Sequence, residues 1–324
     1  NYLEGFLQPG TTDEGPGLYT VEPYQPGKIP VVFVHGLLSD PFTWSNAANE
    51  LRARPELISR YQLWGFQYPT GEPFLKSAAV LRGHLNAITK KLDPNGEDSA
   101  LSQIILIGHS MGGLVAKLQV TYSGDQLWNS ISKVPLDCLV TTDGTRTALR
   151  DAFYFQPVPT VSRVVFLGTP HWGSPKANRP IGRLGTKLVD EPSSMNEIRE
   201  QLLRDNPEAF TREFTRRIPT SIDLLRPESP LLRKMNCLNF SESVRLNSII
   251  GCGYCLLGAG DSDKVVPVKS ARIPGVESEC LIISKHTKIN SNEMVLKELF
   301  RILETQLVEP CLSETSFSVG GLQE

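Results

Sequence analysis

The stretch LIGHSMGGL, residues 106–114, places one serine among three glycines, directly after an apolar run and directly before the apolar segment LVAKLQV. The run QIILIG (103–108) is rich in aliphatic residues, which is typical of a strand buried on both faces of a sheet. A helix is predicted to continue from the serine turn over 114–122. A serine at so sharp a strand-to-helix turn needs small neighbours, because larger side chains would clash with the strand or the helix. The stretch therefore predicts a turn that exposes the Ser110 hydroxyl above the sheet.

The rest of the chain alternates apolar runs with segments of helical periodicity. Strands are predicted near 18–21 and at 29–36, 61–69, 103–108, 161–168, 244–251 and 280–285. Amphipathic helices are predicted over 44–54, 74–92 and 290–307, and Asn290 and Glu293 have capping-box spacing at the start of the last one. Such alternation predicts an α/β fold with a mostly parallel central sheet and helices on both faces.

One long segment interrupts this alternation. Residues 175–240 contain no buried strand, but they carry charge-rich helical pieces at 195–204 and 208–216. An insertion of this length between strands is most easily placed as a helical cap over one end of the sheet. We therefore expect an N-terminal extension at 1–28, a core at 29–174 and 241–308, a cap at 175–240 and a C-terminal tail at 309–324.

Composition narrows the classes of protein to consider. Of the 324 residues 40% are hydrophobic and 21% are charged, so a packed globular core is expected. The net charge of −2 gives no basis for a nucleic-acid surface. Six cysteines are too few for a disulfide scaffold. Cys252 and Cys255 form a CxxC pair without a second pair or a histidine pair to complete a zinc site, so we interpret them as structural thiols or a disulfide.

Three motifs resemble those of serine lipases and esterases of the α/β-hydrolase family. They are GHSMGG (108–113), FVHG (33–36) and GTPHWGSP (168–175), and the resemblance extends over roughly residues 18–307. In that fold the third motif marks the exit of strand six into the cap. The resemblance implies that Ser110 is the nucleophile, and that an acid and then a histidine follow it in the chain.

The base that activates Ser110 must be a histidine late in the chain. A serine hydroxyl is a weak nucleophile near neutral pH, so it needs a general base. Four histidines lie too early in the chain or are explained by their local context: His35, His84, His109 and His171. Of these, His109 adjoins the nucleophile, but its side chain is expected to point away from it. His286 follows the predicted strand CLIISK, in the loop where the family keeps its catalytic histidine, and is the predicted base.

The acid is expected in the loop GDSDKVVPV (260–268), between the last two predicted strands. The family pattern of Asp, a short apolar run and Pro favours Asp263, with Asp261 as the alternative. An oxyanion hole needs two N–H donors, and the resemblance implies those of Met111 and of Leu37 in HGLL. This turn has a single glycine before Leu37 rather than an HGGG run.

The substrate pocket is less well marked in the sequence. Leu38, Phe42 and Trp172 are candidates for substrate contacts, although Trp172 is as well explained by packing under the cap. Further apolar residues are interpreted either as a pocket wall or, more commonly at such spacing, as core: Phe74, Leu224, Leu225, Leu231 and Leu232. No metal or organic cofactor is implied, and HTKINSN (286–292) offers no acidic ligand set for calcium.

Three functions fit these residues. The first is a carboxylic-ester hydrolase that acts through an acyl-enzyme on a hydrophobic ester of a small molecule, a lipid or a polyester. The second is an acyltransferase with the same three residues, and the third a non-catalytic binding protein, which would usually have lost one of them. Peripheral contact with a lipid interface is also expected. A weaker resemblance of GLYTVEPYQPGKIPVVFVHG and FQYPTGEPF to often-exported bacterial hydrolases favours an extracytoplasmic location.

Overall fold

A seven-stranded sheet forms the centre of the molecule. The computed structural model describes residues 16–178, 193–216, 220–255, 258–259 and 261–308. The strand order is β1-β3-β2-β4-β6-β8-β11, with these bounds: β1 Gly17–Thr20, β2 Ile29–Val34, β3 Tyr61–Gln67, β4 Ile104–His109, β6 Val161–Leu167, β8 Arg245–Cys252 and β11 Ser278–Ile283. From β3 to β11 all neighbours are parallel, and only β1 runs antiparallel to its neighbour β3. The predicted mostly parallel sheet is thus confirmed, and β1 lies inside the stretch predicted as an N-terminal extension.

Two apolar layers cover the two faces of this sheet. Alternate residues of β2 point to opposite sides, so Val32 packs with helices α3 (Phe74–Leu92) and α4 (Met111–Lys117). Its neighbour Phe33 packs on the other face with α1 (Ser45–Arg52) and α11 (Glu293–Val308). Each fully buried large aliphatic or aromatic side chain contributes about 1.5–3 kcal/mol of transfer free energy. Burial on both faces explains why the central strands read as continuous apolar runs.

A third apolar cluster lies away from the sheet. The further helices are α2 Pro55–Ile58, α5 Asp143–Phe153, α6 Ser193–Asp205, α7 Arg212–Arg216, α8 Ser221–Leu224, α9 Pro230–Met235 and α10 Val268–Ala271. Short strand pairs are formed by β5 Thr121–Tyr122 with β7 Asn239–Phe240, and by β9 Tyr254–Cys255 with β10 Gly258–Ala259. In the third cluster, Leu202 of α6 packs with Trp128 and Phe210. The predicted cap segment therefore packs against the chain between β5 and β6.

Three predicted helix bounds are wrong. The helix after Ser110 ends at Lys117 rather than at 122. In a continuing helix the backbone N–H of Gln119 would donate to the carbonyl oxygen of Val115. Here the Gln119 side chain donates to that oxygen instead, at 2.9 Å. The helix predicted over 208–216 begins only at Arg212, because Phe210 forms a β-bridge with Ser132.

The last helix begins at Glu293, and Asn290 does not cap it. The Asn290 amide instead donates to the carbonyl oxygen of Thr43 at 2.6 Å. Asn292 takes the capping role, since its side-chain oxygen accepts from the N–H groups of Met294 at 2.9 Å and Val295 at 3.3 Å.

The division into extension, core, cap and tail stays a prediction, and the tail at 309–324 lies outside the described residues. Within the described ranges, no helix combines the length and the apolar character that crossing a membrane requires.

Candidate active site

The site is built on the turn between β4 and α4. Ser110 has φ 54° and ψ −122°, a conformation that a non-glycine residue adopts only when its surroundings impose it. Its N–H donates to the carbonyl oxygen of Leu167 in β6 at 2.9 Å, which fixes the turn to the neighbouring strand. Backbone strain of this kind costs on the order of 1–3 kcal/mol and is common where a reactive group must be held in place.

The three glycines around Ser110 leave room for close backbone approach. A Cβ atom on Gly108 would lie 2.5 Å from the Cα atom of Gly113. One on Gly112 would collide with the carbonyl oxygens of Val34 and His35, and one on Gly113 would collide with the Thr169 side chain. The helix therefore begins directly against β2, β4 and the chain leaving β6, which answers why the sequence places three glycines beside one hydroxyl.

Three predicted residues come together at the carboxyl edge of the sheet. The Nε2 atom of His286 lies 2.9 Å from Ser110 Oγ, and its Nδ1 atom lies 2.6 Å from Asp263 Oδ2. The other carboxylate oxygen of Asp263 accepts from the N–H groups of Val265 at 2.9 Å and Val266 at 2.7 Å. All three side chains are buried. The hydroxyl, imidazole and carboxylate thus form one continuous hydrogen-bonded chain.

The alternative acid, Asp261, is placed differently. It is exposed, and its backbone oxygen accepts from the N–H of Val268 at 2.8 Å. In the described part of the chain no hydrogen bond joins its carboxylate to His286. Asp263 also receives the backbone N–H of His286 on its carbonyl oxygen at 3.0 Å, so side chain and backbone both hold the histidine.

Two further glycines make room for the acid and the base, and sequence reasoning missed them. Gly168 has φ 54°, and a Cβ there would lie 3.4 Å from both Asp263 Oδ2 and His286 Nδ1. A Cβ on Gly251 would lie 2.8 Å from the Cβ of Asp263. The signal was present in the sequence, because β2, β4, β6 and β8 all carry a glycine within two residues of their carboxyl ends.

The two candidate oxyanion donors flank the nucleophile. Met111 is the first residue of α4, so its N–H has no acceptor within the helix. Gly36 packs against the serine so closely that a Cβ there would lie 3.1 Å from Ser110 Cβ, which brings the following residue, Leu37, beside the site. Leu38 holds φ 54° and donates its N–H to Thr70 Oγ1 at 3.2 Å, which shapes the turn.

Three large apolar side chains predicted to contact substrate are exposed to solvent. The exposed fractions are 60% for Leu38, 79% for Phe42 and 48% for Trp172. Phe42 lies in a short 3₁₀ turn with Thr43, which Asn290 ties to the His286 turn. The five residues interpreted as pocket wall or core are buried in the apolar cluster beside α3 and α4: Phe74, Leu224, Leu225, Leu231 and Leu232.

The other histidines are buried. Burial lowers the pKa of His35, which stacks on Tyr68 with ring centroids 4.3 Å apart, and the pKa of His84 in α3. Burial, with the nearby positive charge of Lys117, holds the pKa of His171 well below its ordinary value. The His109 side chain, which was expected to point away from Ser110, contacts the His286 ring.

Within the described residues, no three or more His, Cys, Asp or Glu side chains are grouped so that they could hold a metal ion. Cys252 is a buried free thiol, and burial together with the negative charge of Asp263 raises its pKa. Of the two interpretations of the CxxC pair, this fits a structural thiol at Cys252, while the Cys255 side chain lies outside the described part.

Similar architectures occur among solved structures of other proteins. No curated protein sequence matches the chain. Among solved structures, EstA from Clostridium botulinum is 14% identical, with 89% of each chain covered and a TM-score of 0.53. Phospholipase PlaB from Legionella pneumophila is 14% identical at a TM-score of 0.51, over 87% of this chain and 60% of that one. Mature lipase BlEst2 from Bacillus licheniformis is 17% identical, covering 88% and 97%, with a TM-score of 0.48.

Likeness at such low identity concerns the fold alone, but a family match covers most of the chain. The model of the Alpha/beta hydrolase family matches residues 31–277, a range that includes Ser110 and Asp263. With the parallel sheet, the strained serine turn and the order of the three polar residues, this identifies the chain as a member of the Alpha/beta hydrolase family.

Proposed function

We propose that this chain is a serine carboxylic-ester hydrolase that acts on a hydrophobic ester through an acyl-enzyme. The observation that carries the proposal is the hydrogen-bonded chain Ser110–His286–Asp263, with distances of 2.9 Å and 2.6 Å, on a strained serine turn. A strained backbone and a buried carboxylate are costly to maintain without a use. The geometry therefore favours a catalytic role over a binding protein on the same scaffold.

In the first half of the proposed reaction Ser110 attacks the ester carbonyl. Its Oγ proton passes to His286 Nε2 as the Oγ–carbon bond forms. Asp263 keeps the proton of the imidazole on Nδ1 and stabilises the imidazolium without taking that proton itself. The N–H groups of Leu37 and Met111 donate to the oxyanion as its negative charge develops.

In the second half the acyl-enzyme is released. The tetrahedral intermediate collapses when the imidazolium of His286 gives its proton to the leaving alcohol, which breaks the ester bond and leaves the acyl group on Ser110. Water then loses a proton to His286 and attacks the acyl carbon. The second collapse returns the proton to Ser110 and frees the acid, so atoms and charges balance over the cycle.

The exposed apolar residues support a hydrophobic substrate. Leu38 follows Leu37 of the proposed oxyanion hole, and Phe42 lies on a turn tied to that of His286. Exposed large apolar groups near a reactive centre are typical of a binding surface for an apolar ligand. An ester of a small molecule, a lipid or a polyester would suit them, as would contact with a lipid interface. The extracytoplasmic location stays a prediction.

The test is hydrolysis of p-nitrophenyl esters from short to long acyl chains by the parent and by Ser110→Ala. We expect turnover in the parent to rise from the shortest chain, and to fall at least about 10⁴-fold in the variant. Labelling of Ser110 by a fluorophosphonate would identify the nucleophile directly. Transfer of the acyl group to an added alcohol in preference to water would indicate the acyltransferase instead. A parent that neither turns over an ester nor becomes labelled would contradict both.

A further inference from the structure

One buried histidine adjoins the three residues of the site without belonging to them. His109 is the last residue of β4 and precedes Ser110 in the chain. Its Nε2 atom lies 3.2 Å from the backbone carbonyl oxygen of His286, and the two imidazole rings have centroids 4.9 Å apart. The Trp44 ring meets His109 edge-on at 6.5 Å. The side chain is thus packed against the base of the proposed reaction rather than directed away from it.

The hydrogen bond defines which nitrogen of His109 carries the proton. A carbonyl oxygen can only accept, so the Nε2 atom of His109 must donate. Its Nδ1 atom is buried and has no partner in the described part of the chain. On that side Gly36 approaches closely, since a Cβ there would lie 3.2 Å from Nδ1. These contacts place a proton on Nε2 of His109 and, among the described residues, provide no acceptor for a second proton on Nδ1.

A neutral His109 is also what the neighbouring charges require. Burial, reinforced by the charges of His286 and His35, lowers the pKa of His109 to about 3. A cation at this position would lie beside the imidazolium that forms on His286 during the proposed reaction, and like charges so close in a buried site oppose each other. His109 can donate its hydrogen bond at every working pH without adding such a charge.

We propose that His109 is a positioning residue, which as a neutral Nε2–H donor clamps the His286 peptide so that its ring stays aligned on Ser110. The backbone N–H of His286 donates to the Asp263 carbonyl oxygen at 3.0 Å, and its carbonyl oxygen accepts from His109. Both polar groups of this residue's backbone are thus held. The inference rests on the proposed function, because alignment matters only if His286 exchanges a proton with Ser110.

The experiment compares His109→Phe, His109→Gln and the control His84→Phe. Phenylalanine keeps a ring but cannot donate, whereas the glutamine amide nitrogen is as many bonds from Cα as Nε2 and can donate. We expect His109→Phe to lower kcat on p-nitrophenyl butyrate about tenfold or more with little change in KM, because a buried carbonyl loses its donor. His109→Gln should recover most of the rate. His84 is also a buried histidine, but it lies in α3, and its replacement should change kcat by less than about twofold.

Rates must be expressed per active site, counted by fluorophosphonate labelling of Ser110. A purely structural role would lower the labelled fraction and leave kcat per labelled site unchanged, which would overturn the proposal. A glutamine variant as slow as the phenylalanine variant would overturn it too.

A second measurement does not depend on activity. In ¹⁵N-histidine NMR spectra of the parent, His109 should carry its proton on Nε2 and show no titration between about pH 5 and 9. A proton on Nδ1, or titration in that range, would contradict the inference. If the parent shows neither ester turnover nor labelling of Ser110, the proposed function fails, and the NMR result still decides the state of His109.

Discussion

Two polar networks lie at opposite ends of the strands of the central sheet, and they differ in how their polar groups are paired. Near the amino ends of β6 and β8, Arg163 donates to Asn247 at 2.6 Å, to Glu277 at 2.5 Å and to Gln306 at 2.7 Å. Just beyond the carboxyl end of β4, Ser110 meets His286 and, through it, Asp263. The first network joins β6, β8, a loop and the last helix around the charge of Arg163. In the second, a proton moves from Ser110 to His286 under the proposed mechanism.

The backbone distinguishes the two ends as well. Neither Arg163 nor any of its three partners has a positive φ, whereas Ser110 and Gly168 both do. Arg163 is buried and paired with an acid, as a charge in the interior must be. At the other end, backbone strain and the close approach that glycines allow hold the neutral hydroxyl of Ser110 against His286. A polar network in which every donor has an acceptor serves the fold. A network built on a strained backbone with close glycine contacts is suited to catalysis.

The largest expected effect separates the two acids at the carboxyl end. Asp263→Asn should lower kcat on a p-nitrophenyl ester about 10³- to 10⁴-fold, because an amide cannot stabilise the imidazolium or hold the required tautomer. The matched control is Asp261→Asn, two residues away and exposed, which should stay within about twofold of the parent. An Asp263→Asn variant that stays within about twofold of the parent, as its control should, would mean that His286 does not depend on Asp263 for its function.

The next largest effect is expected for the Arg163 network at the amino end, where a substitution should change the free energy of unfolding but not kcat. Arg163→Met should lower the free energy of unfolding by about 3–5 kcal/mol, because removing one partner leaves buried polar groups unpaired. In denaturant titrations the control Arg52→Met should cost less than about 1 kcal/mol, since the Arg52–Glu22 pair is largely exposed. The value of kcat per folded Arg163→Met molecule should match the parent. A large fall in that kcat would show that the two ends are coupled, contrary to the comparison.

The network at the carboxyl end was the more predictable of the two. Its sequence features are local motifs, or they follow from the order of the serine, the acid and the histidine along the chain. The glycines around Ser110 and the loop position of His286 could be interpreted without knowing any distant contact. The central strands were equally clear, since burial on both faces leaves continuous apolar runs such as IPVVFV in β2. The Arg163 network had no such signal, because its members lie up to 143 residues apart.

What the sequence did not predict depends on contacts between distant segments. Asn290 and Asn292 are both suitable caps for the last helix, and Asn290 is excluded by a bond to Thr43, 247 residues away in the chain. The contact of His109 with His286 likewise spans 177 residues. Helix α5 was also not predicted, and it has no fully buried residue: Leu149, Ala152 and Phe153 are only partly buried where they pack against the apolar clusters.

The smallest expected effect tests the charge at the amino end through pH. Burial alone would raise the pKa of Glu277, but the charge of Arg163 and its hydrogen bond outweigh burial and lower the pKa below the ordinary 4.5. A carboxylate with a lowered folded-state pKa stabilises the fold above its unfolded-state pKa, and this contribution is lost as pH falls through the folded value.

In urea titrations from about pH 7 down to about pH 3, Glu277→Gln should therefore be less stable than the parent at pH 7, and the difference should shrink as the pH falls. The difference should be small, since the Glu277 side chain is 37% exposed and solvent screens the pair. Glu242→Gln, which removes an exposed carboxylate away from Arg163, is the control and should run closer to the parent throughout. A gap that is the same at pH 7 and pH 3 would mean that Glu277 supports Arg163 through hydrogen bonding and not through charge. In that event the amino-end network would be held, like the carboxyl-end one, by geometry more than by ionic attraction.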